Sequence, residues 1–338
     1  MPSIPKIPAP KPLFRVSRYI GLLFIAFTAF AACDGNEALD NNATAGQAAS
    51  TGGVTDISNR ALSSLNPDCA AYRNRYVSRA SDASTGQRYQ GELTITLSPS
   101  RCIFASNSIP NHSLDGRGFA NPLRPVSKTF QVPRNPSMAA SPTALSLAYD
   151  NAIMLNGVKL DLLAAACYGV GRGQALGRER IGCNRSDRPW RYDPMHPGNN
   201  FGTDAHNAHT QPDGAYHYHG DPKALYLSGV PSPVIGFAAD GFPIYGPYIS
   251  DAAGLRRVRS GYRLKSGPRQ PQAGEGAFPG GRYDGTFVDD WEFTGDGDLD
   301  RCNGMVYNGS YAYFVTDNYP WVMGCFSGTP DPSFRKRR

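Results

Sequence analysis

Of seven cysteines, six remain once Cys33 near the start is set aside: Cys69, Cys102, Cys167, Cys183, Cys302 and Cys325 are spread along the chain, and no two of them form a C-x-x-C pair. A thiolate zinc site normally uses such close pairs, so that reading has little support. In an oxidising compartment an even set of thiols closes disulfides instead. Six cysteines allow fifteen pairings. Pairing neighbours, 69 with 102, 167 with 183 and 302 with 325, closes loops of some tens of residues or fewer. Each bond then stabilises by about 3 kcal/mol through the unfolded chain's lost entropy. The rival that matters joins Cys302 to Cys183 and ties an acidic turn to the loop before a histidine cluster.

The start of the chain points to that compartment. Lys6, Lys11, Arg15 and Arg18 precede an apolar run from Gly21 to Ala32, with no acidic residue among the first 18. Such a run has signal-peptide length and is too short for an ordinary transmembrane helix. It ends Phe30-Ala31-Ala32-Cys33, which resembles a bacterial lipobox with Phe30 where Leu is usual. Residues 1–33 are therefore expected to be a lipoprotein-type signal peptide, with Cys33 lipidated. Residues 34–66 lack an apolar period and read as a flexible linker. The expected product is exported and anchored to a membrane by lipid, facing the periplasm or the cell surface.

Of the net charge of +6, eight cations lie in the two ends: the four of the leader, and Arg335, Lys336, Arg337 and Arg338 in a basic tail over 335–338. The rest of the chain is net −2, which gives a nucleic-acid-binding body little support. Hydrophobic residues make up 40%, enough for a sizeable core, while 37 Gly and 28 Pro argue against a helical bundle.

The body, about residues 67–334, reads as mainly β: a sandwich or barrel-like fold with long irregular loops and few short helices. Glu92 to Leu97 alternates strictly, as a half-buried strand does. Ala152–Leu155 and Val158–Leu163 flank Asn156-Gly157, the pair favoured in a type I′ hairpin turn. Val234–Ala238 and Phe242–Tyr248 flank Asp240-Gly241, and Asn308-Gly309 precedes Tyr311–Val315 in another hairpin. Leu160 to Ala166 is the best short helix candidate. No internal repeat occurs.

Four of the six histidines lie between Phe201 and Gly220. On a strand, His217 and His219 share one face while Tyr216 and Tyr218 take the other. Pro212-Asp213-Gly214 is a turn signal that folds His209 back towards them. Three neutral imidazoles from adjoining segments suit Zn or Cu among other transition metals. Asp204 and His206 are further candidate ligands or supports. Asp240, Tyr216 and Tyr218 are the candidate proton-transfer groups if the site is catalytic. Asp296, Asp298 and Asp300 have the first three spacings of a calcium loop. Arg301 and Tyr307 then stand where an EF-hand needs Gly and Glu, leaving a looser Ca²⁺ turn or a solvated acidic turn.

Tyr216-His217-Tyr218-His219 resembles the signature of the YHYH-domain proteins. The likeness extends to Leu155-Asn156-Gly157-Val158, the stretch from Asp204 to Gly220, Ile235 to Gly246, Leu299 to Gly304 and Pro320 to Gly328, in order over about residues 145–330. Some relatives carry a histidine in the last hairpin, where this chain has Ala312, so no ligand is expected from there. The resemblance implies an exported or surface-attached bacterial protein and transfers no activity. Three readings follow: a metal-binding protein, a metal-dependent hydrolase-like enzyme on the same histidines, or a structural or glycan-binding surface protein without metal.

Overall fold

The computed structural model describes residues 53–115, 119–170, 182–184, 187–273 and 277–336. Cys33 and the leader lie outside the described residues, as does most of the expected linker.

The chain is mainly β. A first sheet orders β1 (Val54–Asp56), β2 (Asn74–Ser81), β3 (Arg88–Leu97), β4 (Arg101–Ser106) and β5 (Lys128–Pro133). β2 to β5 pair antiparallel. In β3 Leu93 and Ile95 are buried while Glu92 and Thr96 face outward, the alternation that the sequence carries. The short β6 (Thr143–Ala144) comes next. The second sheet is built from β7 (Ala152–Met154), β8 (Lys159–Leu160), β9 (Ala208–Thr210), β10 (Tyr216–Tyr218), β11 (Val234–Ala238) and β12 (Pro243–Tyr245). Two small ribbons follow, β13 (Tyr248–Asp251) with β14 (Gly254–Arg257), and β15 (Tyr262–Leu264) with β16 (Trp291–Phe293). β17 (Gly304–Tyr307) and β18 (Ser310–Phe314) complete the second sheet, and β19 (Cys325–Phe326) pairs with β6. That sheet runs β17-β18-β12-β11-β7-β8-β10-β9 and stays open at both edges.

Both sheets contribute to one hydrophobic core. Leu93, Ile95, Phe104 and Val132 of the first lie in the same buried cluster as Ile153, Ile235, Phe237 and Phe314 of the second. Phe104 and Phe237 meet with ring centres 6.0 Å apart. The arrangement is an irregular sandwich and not a closed barrel. A smaller cluster gathers Trp190, Tyr192, Phe201 and Phe287. Three disulfides join neighbours: Cys69–Cys102, Cys167–Cys183 and Cys302–Cys325. The rival link between Cys302 and Cys183 is therefore absent.

Four expectations need correcting. The segment 54–66 is part of the fold and not linker. β1 pairs parallel with β2, Leu62 N–H donates to the Leu225 carbonyl, and the Tyr245 hydroxyl donates to the Leu65 carbonyl. The segment looks unstructured because much of its attachment runs through backbone groups, with Ile57 buried and Leu62 packed against the core as its apolar contacts. The tail is likewise bound at its start: Arg335 bridges to Tyr149, and Lys336 donates its N–H to Ala148. Leu160–Ala166 forms no helix. It is claimed by strand pairing through β8, and Leu162 N–H donates to the Asn151 side chain. The β7–β8 hairpin forms, but within its Asn156-Gly157 turn only Gly157 takes a positive φ (85°). A type I′ turn needs both. Asn308 and Gly309 do meet that requirement, at 50° and 81°.

Candidate metal centre

The second sheet brings the motif together through two ladders. β9 and β10 run antiparallel with His209 opposite His217, across the Pro212-Asp213-Gly214 turn. Gly214 sits at φ 91°, where a Cβ would lie 2.7 Å from the Arg124 side chain, so glycine is required twice over. β10 and β8 run parallel with Lys159 beside His217. Side chains opposite one another in a ladder leave the sheet on one face, so His209, His217 and Lys159 form a row, with His219 two residues on.

The three imidazoles converge. Nε2 of His219 is 3.0 Å from Nε2 of His217 and 3.0 Å from Nε2 of His209. Ring centres are 4.6 to 4.8 Å apart. A tetrahedral ion with metal–nitrogen bonds of 2.0–2.1 Å spaces its nitrogens by about 3.3 Å, close to this separation. His209 directs Nδ1 at the Phe201 carbonyl, 2.8 Å away. That contact fixes the tautomer with hydrogen on Nδ1 and leaves Nε2 as a lone-pair donor, the usual orientation of a ligating histidine. His209, His217 and His219 are 5%, 1% and 3% exposed. Burial, reinforced by the neighbouring imidazoles, holds His217 well below the ordinary histidine value and pushes His219 down to about 3. Both are therefore neutral at physiological pH, the form that binds metal. Among the described residues this is the only convergent group of three or more His, Cys, Asp or Glu side chains.

The other expected site residues lie elsewhere. Tyr216 and Tyr218 point from the opposite face of β10. The Tyr216 hydroxyl donates to Asp204 at 2.5 Å, and burial raises both phenols far above their ordinary value. Asp204 thus supports Tyr216 and no triad histidine, and it also accepts from the N–H groups of His206 and Ala208. His206 packs against His112 with ring centres 3.9 Å apart and planes tilted by 45°, away from the triad. Asp240 sits in the β11–β12 turn, with β7 and β8 lying between β11 and β10, where it accepts from the Tyr313 hydroxyl at 2.6 Å and from Gly328 N–H. Burial raises its carboxyl. None of these groups reaches the triad.

The acidic run is also committed. Asp298 accepts from Arg256 and from Arg259 N–H. Asp300 accepts from the N–H groups of Cys302 and Gly304 and from the Tyr311 hydroxyl, while Asp296 is exposed. The three carboxylates serve arginine pairs and a turn instead of converging, which removes the calcium reading.

Sequence reasoning missed the polar layer beside the triad. Lys159 Nζ lies 2.6 Å from Asp150 and 3.9 Å from Asp161. Asp161 also accepts from Lys336 Nζ at 2.5 Å and from Gln211 Nε2 at 3.1 Å. The signal was present: Lys159 and Asp161 are the polar alternates of an otherwise apolar strand, and Gln211 follows His209 by two.

Known proteins place the chain in a family. The family model described as YHYH protein matches residues 129–328, more than half of the chain. No curated protein and no solved structure matches it. The chain belongs to the YHYH protein family.

Proposed function

We propose that this YHYH protein is an exported, lipid-anchored protein that binds one divalent transition metal, Zn²⁺ or Cu²⁺, through His209, His217 and His219. The observation that carries the reading is the convergence of three Nε2 atoms, with that of His219 3.0 Å from each of the other two. Without an ion the arrangement is costly. A single Nε2–H cannot serve two neighbouring lone pairs with good geometry, and buried polar atoms left unpaired cost about 1–3 kcal/mol each. Three imidazoles favour borderline metals over Mg²⁺ or Ca²⁺, which take oxygen.

The test is elemental analysis of protein purified from its own compartment, followed by Zn²⁺ and Cu²⁺ uptake by the metal-free chain. One equivalent is expected. The double variant His217→Ala/His219→Ala should take up none. Equal uptake by that variant places the metal elsewhere, and no uptake by the natural chain leaves a surface protein without metal. The anchor is tested by Cys33→Ser, which should move the protein from the membrane fraction to the soluble one.

A further inference from the structure

Next to the triad the protein holds a cleft of about 470 Å³. Lys159, Asp150 and Gln211 form its inner wall, and Lys128, Asp213, Arg335 and Lys336 its rim. Two of the wall residues adjoin the proposed ligands directly. Lys159 is the ladder partner of His217, and Gln211 lies two residues beyond His209. The cleft and the metal centre therefore share one stretch of sheet.

Its charge is not balanced. Four cations face two carboxylates. Asp150, with Asp161 behind it, already neutralises Lys159 and Lys336. At the rim, Lys128 approaches Asp213 only to 3.7 Å, with both side chains a third or more exposed. Such a contact contributes little. Arg335 is exposed and joins no ion pair among the described residues. A dication on the three imidazoles adds two further positive charges beside the wall, and Asp213 is the one lining carboxylate not already engaged by Lys159 or Lys336. That uncompensated charge draws an anion.

We propose that this cleft binds a small oxyanion, a carboxylate or a phosphate, between the rim cations Lys128, Arg335 and Lys336 and the inner Lys159, beside the metal. The coupling to metal rests on the function proposed above; the cleft itself does not. By linkage, metal and anion strengthen each other's binding by the same factor.

Inorganic phosphate and acetate are titrated separately into the full chain, metal-free and zinc-loaded, by calorimetry. Phosphate, acetate or both should bind saturably at one site, and comparison of the two identifies the preferred class. Lys128→Ala/Arg335→Ala should weaken that binding about tenfold while its zinc content stays that of the natural chain. Zinc should raise the affinity several-fold. Absence of saturable binding at millimolar concentrations, or equal binding by the double variant, overturns the cleft assignment. Equal affinity with and without bound zinc overturns the coupling. Anion binding that behaves as expected in a chain that takes up no zinc upholds the cleft and removes the metal centre.

Discussion

The hydroxyl of Tyr218 lies 2.9 Å from Nδ2 of Asn156, which ties β10 to the β7–β8 turn from the face opposite the histidines. The same hydroxyl meets Nε2 of His112 at 2.9 Å, and Asn156 also donates to Asn111. The two kinds of residue in the motif thus divide the work. The tyrosines pin the strand from one side, and His217 with His219 face the proposed ion on the other.

This division makes Tyr218→Phe a separating substitution. It leaves the Nδ2 donor of Asn156 and the Nε2 acceptor of His112 short of a buried partner and should cost about 1–3 kcal/mol. Because the ring stays in place and the triad is untouched, zinc stoichiometry should not change. Urea unfolding alongside metal analysis checks both halves. Loss of zinc from a folded variant would show that the two faces are not independent.

The Lys159–Asp150 pair gives a second contrast. Lys159 is 3% exposed, and Asp150 is also buried. Lys159→Met removes the inner cation and leaves Asp150 only the more distant Lys336, at 3.8 Å. A loss of about 3–5 kcal/mol is expected, as for other buried charges left without a partner. Lys159→Met with Asp150→Asn removes the unpaired charge and should recover part of that loss. Denaturation midpoints of the two variants decide it: equal destabilisation rejects the pairing argument.

The Cys302–Cys325 bond closes a segment of 23 residues around the β17–β18 hairpin. Replacing both cysteines with Ala should lower stability by about 3 kcal/mol if loop entropy dominates. Non-reducing peptide mapping of the natural chain should recover one fragment linking these two positions. A fragment linking Cys302 to Cys183 would falsify the pairing.

What could be read from the sequence follows a physical divide. Local signals were sufficient where one or two residues dictate the backbone, as at Asn308-Gly309, or where alternation marks a buried face, as in Leu93 and Ile95. The triad was legible because a turn between two short strands fixes its register, His209 opposite His217. Contacts made over long separations were not. Nothing in Leu65 announces that its carbonyl will accept from Tyr245, 180 residues on. Nor does the composition of Arg335-Lys336 reveal that Lys336 will reach Asp161. Asp204 and Asp240 look alike as sequence candidates, yet each is taken by a tyrosine, and only coordinates show which.

Asp193 carries the prediction with the clearest pH signature. It is buried, accepts from Met195 N–H at 2.9 Å, and receives the Trp321 indole N–H at 3.0 Å from its second oxygen. Burial outweighs these bonds and pushes its carboxyl from 3.8 up to about 7. Between those two values the folded chain holds a proton that the unfolded chain has lost. Stability from this group is therefore complete below pH 3.8, falls as pH rises through the window and is flat above about 7. The whole change corresponds to about 4 kcal/mol as an upper bound. Asp193→Asn keeps an acceptor for Trp321 and does not ionise. Relative to the natural chain it should gain stability steadily from pH 4 to 7 and no further above that, on the order of a few kcal/mol in total. Urea midpoints of both proteins across that range test it. Parallel curves would mean that Asp193 is ionised in the folded state throughout, and that the Trp321 and Met195 donors compensate its burial fully.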